Sequence, residues 1–328
     1  MTNADRMKRL TVAVLVDPQN LVRGHVRPVK GHTDRHLLVE LRRQARRVVL
    51  VPYTGATALL QCLERTRPDV VFNLTEWVEG DRTKDGHICA LLDLHGVPYT
   101  GPGPKGLMLC RDKAISKLVA EQAGFTIPRF FAVAPQTKSP LPFPLVVKPQ
   151  FGDASEGISQ SSLVRSNQSL LRRAALLRRH GFEFVIAEEY AAGRDVLVTV
   201  LGTRIMSVRE LVVRRNGPGS PMLFSAELKH NHAYRQRWKA RMENATLPPE
   251  QMRVLAALAR RAATALDLRD YGRLDLRLTP SGRFVFLEAN PNPAIVPPSR
   301  SFSGSWGGMA FDNVVAEITL RAWRRRER

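Results

Sequence analysis

Two short apolar runs near the C-terminus constrain this chain most. Residues 272–278 and 283–288 read as paired β-strands joined by the turn Thr279-Pro280-Ser281-Gly282. Side chains alternate faces along a strand, so Arg273 and Asp275 share one face, as do Glu288 and Asn290. Positions 275 and 288 lie on paired strands and can approach each other. Three oxygen donors, Asp275, Glu288 and Asn290, then converge beside an arginine. Carboxylate and amide oxygens suit hard divalent cations bound to phosphates. A solvated charged hairpin would not account for Phe284, Phe286 and Leu287 before the acid, or for the extended Asn290-Pro291-Asn292-Pro293 after it.

The first hundred residues alternate strand-like and helical patterns. Residues 10–16, 47–51 and 69–72 read as short buried strands. Ala58, Leu59, Cys62 and Leu63 recur at helical spacing, as do Ile88, Leu91 and Leu92 in a helix stopped after His95 by Gly96. Such alternation predicts a parallel sheet with helices on its faces. A Gly/Pro-rich turn at 99–104 marks the first boundary. A helix follows from Asp112 to Gly124, with Ile115, Leu118 and Val119 as its apolar stripe, then a strand at 143–149, a polar loop at 152–157 and a strand at 182–190. Runs at 196–201, 204–208 and 210–213 read as an antiparallel meander turning at Gly202. An amphipathic helix at 249–268 is expected to turn Val254, Leu255, Leu258, Ala262 and Leu266 inward. The hairpin follows, and a last helix spans 309–323.

With 328 residues, 44% of them hydrophobic, the chain can build a large core split into two or three lobes. It shows no fixed-period repeat and no long low-complexity tract. Cys62, Cys89 and Cys110 are odd in number and widely spaced, which suggests neither a disulfide framework nor a zinc ribbon. The apolar run at 11–16 ends at Asp17-Pro18, too short for a signal segment or a membrane span, so a cytoplasmic protein is expected. Lysine and arginine number 50 against 30 aspartate and glutamate, a net charge of +20, which calls for anionic partners. The arginines are dispersed, however, and read as solvated helix faces rather than as a nucleic-acid site.

Two further patterns suggest a nucleotide. Lys148 ends a buried strand, Val146-Val147-Lys148-Pro149, where an ammonium needs an anion. The following loop, Gly152-Asp153-Ala154-Ser155-Glu156-Gly157, has the small residues that let backbone amides close over phosphates. Lys113 starts a helix, where a cation opposes the dipole unless an anion is present. Glu188-Glu189-Tyr190 ends another apolar strand and suits adenine and ribose contacts; taken alone, it reads as a pair of exposed glutamates.

Together these residues resemble the D-alanine–D-alanine ligase branch of the ATP-grasp superfamily. The likeness runs from about residue 69 to the C-terminus. It rests on Val71-Phe72-Asn73, Gly96-Val97-Pro98-Tyr99-Thr100-Gly101, Asp112-Lys113, Val147-Lys148-Pro149, Glu188-Glu189-Tyr190, Gly272-Arg273-Leu274-Asp275 and the run 287–293. The resemblance implies an α/β ATP-grasp fold: a Rossmann-like pre-ATP-grasp domain (1–104), a central lobe (105–190) and a C-terminal lobe with metal site and lid (191–328), the two lobes clamping ATP. It implies that Lys113, Lys148 and Ser155 hold phosphates. Glu188, Glu189 and Tyr190 would form the adenine hinge, and Asp195 would bind ribose. Lys229 would reach the γ-phosphate from a lid at 214–245 that flexes at Gly217-Pro218-Gly219. Asp275, Glu288 and Asn290 would hold two Mg²⁺ ions, or Mn²⁺ in their place. Arg273 would stabilise the tetrahedral intermediate, and Ser299 would sit near the second substrate's carboxylate. The expected partners are small amino-acid or peptide substrates, with a homodimer allowed.

The departures concern the substrates. Where the family carries a glutamate for the first D-alanine, this chain reads Asp17-Pro18-Gln19-Asn20-Leu21-Val22-Arg23. Arg23 and Arg27 nearby imply a first substrate more negative than alanine. Ala154 replaces a usual serine, Ala294 a glycine, and His230 the lid tyrosine, the last as in ester-forming relatives. His230 and His232 are the candidates for a general base, although none stands out. The alternatives are a ligase for a different, more acidic or peptide substrate, and a non-catalytic polyanion-binding protein of the same fold.

Overall fold

The computed structural model describes residues 1–22, 25–26, 33–153, 155–214, 223–297, 302 and 306–325, without the side chains of 22, 25, 26 and 33. Arg23, Arg27, Ala154, Gly217-Pro218-Gly219 and Ser299 lie outside the described residues. The chain starts with α1 (Asn3–Met7), β1 (Thr11–Val16), β2 (Leu21–Val22), β3 (His25–Val26), α2 (Thr33–Gln44), β4 (Arg47–Pro52), α3 (Ala56–Thr66), β5 (Val70–Asn73), α4 (Asp85–Leu94) and α5 (Pro104–Arg111). It continues with α6 (Lys113–Gln122), β6 (Phe130–Ala132), β7 (Leu145–Pro149), β8 (Leu163–Val164), α7 (Asn167–Arg179) and β9 (Val185–Glu189). Next come β10 (Arg194–Leu201), β11 (Arg204–Val212), α8 (Ala226–His230), α9 (His232–Arg237), β12 (Arg241–Asn244), α10 (Pro249–Ala265), β13 (Tyr271–Leu278), β14 (Phe284–Asn290) and α11 (Phe311–Arg324).

The first sheet is parallel, in the order β4-β1-β5. Its central strand is buried on both faces. Val12, Val14 and Val16 pack with Leu37 and Leu41 of α2, while Ala13 and Leu15 pack with Leu59 of α3 and Ile88 of α4. This is the pattern of a strand with helices on both sides. The core on the α2 side is completed by Val314, Val315 and Ile318 of α11, so the last helix returns to the first sheet. That docking is invisible to local periodicity.

Two antiparallel sheets follow, β6-β9-β7-β8 and β12-β11-β10-β13-β14. In the four-stranded sheet Leu145, Val147, Val185 and Ala187 pack against Leu170, Ala174 and Leu177 of α7. The period-2 alternation sends Val146, Lys148 and Glu188 to the opposite face. In the five-stranded sheet Val196, Val198, Leu274, Leu276 and Phe286 share a core with Ala120 of α6 and Leu255, Ala259 and Ala262 of α10. Asp195, Leu197, Arg273, Asp275 and Arg277 take the other face. A cleft lies between the two polar faces.

Several local expectations are corrected. The runs expected at 204–208 and 210–213 merge into one strand, β11, which ends at Val212, and the meander's third strand is β12. Strand β9 begins at Val185 rather than at 182. Val254 points outward at 43% exposure. The stripe expected on α6 is also reversed: Ile115 and Leu118 are 45% and 51% exposed, whereas Lys113, Ser116, Lys117 and Ala120 are buried. Apolar spacing misleads there because the inward lysines find partners on other elements, Lys117 the Glu188 carboxylate and Lys113 the Gly152 carbonyl.

Phe286 is fully buried, with its ring centroid 5.8 Å from that of Phe125. Phe286→Ala should cost about 3–5 kcal/mol in urea denaturation followed by circular dichroism. A loss under about 1 kcal/mol would mean that α6 and α10 do not pack on this sheet as described.

Candidate active site

The cleft has a volume of roughly 650 Å³ and is lined by Lys148, Ser155, Glu188, Glu189, Tyr190, Asp195, Lys229, Asp275 and Glu288, together with Val146, Ile158, Leu197, Phe224 and Leu287. Nine residues singled out from the sequence therefore face one space. Lys113 stands beside it. Its helix is N-capped by Asp112, which accepts from the amides of Ala114 and Ile115. The Lys113 ammonium donates to the Gly152 carbonyl at 2.8 Å, at the root of the phosphate-type loop.

The hairpin is built on a bulge. Asp275 opposes Glu288, but Leu276 opposes Phe286, so Leu287 is an extra residue in β14. This one-residue insertion aligns Glu288 with Asp275. The bulge carbonyl, Leu287 O, accepts from the Lys117 ammonium at 2.8 Å. Arg273 grips both oxygens of Asp275, Nε at 2.6 Å and Nη2 at 2.9 Å. Asn290 pairs with Arg273 across the strands, and its Oδ1 accepts from the Asn292 amide. Glu288 makes no hydrogen bond or ion pair among the described residues. Burial would raise its pKa, but Lys113, Lys229 and Lys148 around it hold the carboxyl below the ordinary carboxylate range.

Glu188 is 3% exposed, not a surface acid. Its Oε1 lies 2.6 Å from the Lys148 ammonium and its Oε2 lies 2.9 Å from that of Lys117. Burial would raise its pKa as well, and the two lysines outweigh burial and keep it low. Burial depresses Lys117 to about 7, against the pull of Glu188. Glu189 is turned outward to Arg129, at 2.5 Å, and that bond keeps its carboxyl low. The Tyr190 amide donates to Pro144 O. Asp195 pairs with Arg277 at 3.2 Å. Lys229 sits 4.9 Å above the Phe224 ring. His230 and His232 are exposed, so neither is placed as a buried base.

A family profile described as D-ala D-ala ligase C-terminus matches residues 123–319. An uncharacterized protein, y4sG, of Sinorhizobium fredii is 33% identical over 83% of this chain and 82% of its own length. A D-alanine–D-alanine ligase of Thermotoga maritima is 31% identical over 77% of this chain and 79% of its own. The chain belongs to the D-alanine–D-alanine ligase family. A crystal structure of D-alanine–D-alanine ligase from Bacillus anthracis complexed with ATP shares the fold, with a TM-score of 0.73 at 18% identity over 97% of this chain and 98% of that one. The VanG D-Ala:D-Ser ligase from Enterococcus faecalis superimposes with a TM-score of 0.67 at 19% identity, over 94% and 98% of the two chains. The fold is thus ATP-grasp, and this family member is an ATP-dependent ligase that forms a carbon–nitrogen bond.

Sequence reasoning missed residues of the cleft and its surroundings. Lys117 carries the helical spacing of Lys113 plus four, but a mid-helix lysine gives no sign of burial. A second cavity, roughly 400 Å³, lies at the end of β5 and is walled by Asp34, Asn73, Glu76, Tyr271 and Asn292–Ile295. Asp17 does not line it. Its carboxylate accepts the amides of Glu76 and Trp77 at 3.1 and 3.3 Å, and so holds the wall that carries Glu76.

Asp17 yields a pH prediction. Burial, against those two amide bonds, pushes its carboxyl up to about 7. From about pH 4 to about pH 7 the folded chain then keeps a proton that the unfolded chain has released, so stability falls as pH rises through that window. Asp17→Asn removes this titration. The advantage of wild type over the variant in urea denaturation should therefore be larger at about pH 5 than at about pH 8. An unchanged or reversed difference would show that Asp17 is ionised throughout.

Proposed function

We propose that the cleft binds ATP and that the second cavity receives the carboxylate substrate, an amino acid with a free ammonium group. The observation that carries this reading is the unpartnered Glu288 carboxylate, aligned with Asp275 by the bulge and surrounded by Lys113, Lys148 and Lys229. A carboxylate open to a lysine-lined cleft suits a divalent cation carried on phosphates. The donors fit that group: Asp275, Glu288 and Asn290 would hold magnesium, which when bound offsets negative charge on the phosphates. Whether one ion or two bind, or manganese replaces them, belongs to the proposal.

The protein's own groups supply the remainder. Lys113, Lys148 and Lys229 offset charge while the substrate carboxylate takes the terminal phosphoryl group and ADP departs. The loop carrying Ser155 packs on the lid through Ser155 Oγ, which donates to Phe224 O at 3.1 Å, and through Gln160, which bonds Leu223. Closing this pair keeps water from the acyl phosphate. An amine then attacks, phosphate leaves, and Arg273 stabilises the tetrahedral oxyanion. Glu188 and the Tyr190 backbone would read adenine, Glu189 would border it, and Asp195 would bind ribose. Ser299 is proposed near the second carboxylate.

The expectation of a more acidic first substrate rested on Arg23 and Arg27, outside the described residues. The described wall carries Asp34 and Glu76 instead, which attract an ammonium. The division at 104 and 190 is retained as a proposal, with α6 packing on the C-terminal sheet and α11 on the first. No helix among the described residues is long and apolar enough to cross a membrane. We place the enzyme in the cytoplasm, acting on small molecules rather than nucleic acid, with a homodimer as the proposed assembly.

Asp275→Asn and Glu288→Gln should each cut magnesium-dependent ADP release with D-alanine by about a hundredfold or more, with far-UV circular dichroism unchanged. Near-normal turnover in either variant would remove the metal assignment.

A further inference from the structure

Two arginines hold acids of the phosphate-type loop, and each is shared with a second acid. Arg111 is 3% exposed. It bonds Asp85 through Nε and Nη2, at 3.0 and 2.7 Å, and Asp153 of the loop through Nη1 at 2.5 Å. Arg82 lies in a short 3-10 turn (Arg82–Lys84) capped by Asp81. Its Nη1 reaches Glu76 at 2.7 Å, its Nε lies 3.1 Å from Glu156 of the loop, and its guanidinium stacks 4.3 Å over Trp77. The two clamps differ in one respect. Asp85 lines neither cavity, whereas Glu76 is a wall of the second cavity.

Resting on the proposed function, we infer that Arg82 is a positioning residue that links the two substrate sites. Glu156 stands in the loop that closes over the ATP phosphates, and its charge repels them unless neutralised. Arg82 divides its charge between Glu156 and Glu76. An ammonium arriving at Glu76 releases part of Arg82 to Glu156. The loop is then better neutralised, and ATP binds more tightly. By reciprocity ATP strengthens amino-acid binding by the same factor. The stacking of Arg82 on Trp77 keeps the guanidinium within reach of both acids.

The test is the affinity for Mg-ATP, measured calorimetrically without amino acid. Glu76→Gln mimics a neutralised wall and should tighten ATP about threefold, although Glu76 lies outside the nucleotide cleft. Arg82→Met should weaken ATP about fivefold, and Arg82→Lys should recover most of that loss. In the Arg82→Met background, Glu76→Gln should leave ATP affinity unchanged. These sizes are those of partly exposed ion pairs. Thermal melts check that each variant is folded, and Asp85→Asn serves as the comparison that touches the other clamp. Were Glu76→Gln to leave wild-type ATP affinity unchanged, or to shift it equally with and without Arg82, the link would be overturned. A wild-type chain that did not bind ATP would overturn the proposed function itself, and the link with it.

Discussion

A carboxylate buried between two lysines holds the nucleotide cleft together. Glu188 belongs to β9, Lys148 to β7 and Lys117 to α6, and Lys117 also reaches the bulge carbonyl of β14. One acid therefore ties the four-stranded sheet to the helix that packs on the five-stranded sheet. Removing Glu188 would leave two lysine ammonium groups unpaired in the interior, at a cost of about 3–5 kcal/mol, whereas removing either lysine would leave the acid paired with the other. Such an arrangement adds little stability compared with apolar packing. What it supplies is position. The two polar faces are held at a fixed separation, and a surplus of positive charge remains in the space between them.

The bulge at Leu287 follows the same logic. Without it, alternation would set Glu288 out of line with Asp275. An extra residue breaks the ladder and leaves a carbonyl without its strand partner, which costs free energy when buried. Lys117 satisfies that carbonyl. The irregularity that aligns the candidate metal ligands thus depends on a lysine from a distant part of the chain. This explains why burial depresses Lys117 yet the residue is tolerated: it meets both an acid and a carbonyl.

Alternation along β13 and β14 made the shared faces of Arg273 with Asp275 and of Glu288 with Asn290 readable in advance, because a period of two assigns each side chain to a face without knowledge of tertiary contacts, while the ATP-grasp fold and residues such as Asp195 and Lys229 were legible only through the family resemblance. The same reasoning failed on α6. Among its inward positions Lys117 meets Glu188, about 70 residues away in sequence, and Lys113 meets the Gly152 carbonyl, partners that no local pattern can reveal. Glu188 was misread alone for the same reason, since an acid at a strand end is usually solvated. The acidic character of the second cavity was hidden too. Its walls come from α2, the end of β5 and the segment after β14, which only the tertiary fold brings together. Arg23 and Arg27 drew attention because they adjoin the first strand in sequence, and they lie outside the described residues.

The excess of +20 finds a partial physical account in where the arginines go. Many are occupied within the fold rather than gathered on one face. Arg173 donates to Gly157 O and Ser162 Oγ, Arg261 to Ala123 O, and Arg178 to Val133 O. Arg325 bonds Asp270 and the Tyr99 carbonyl, which pins the end of α11 to the turn that precedes α5. A guanidinium suits this task because its five donors can satisfy several carbonyls at once while its charge stays delocalised. The contacts to carbonyl and hydroxyl oxygens neutralise no acid, so positive charge accumulates where arginine is used as a backbone fastener. The lysines behave differently. Lys113, Lys117 and Lys148 are buried around two carboxylates, Glu188 and Glu288, and there the imbalance is local and faces the cleft. A triphosphate is the kind of ligand that such an imbalance can hold.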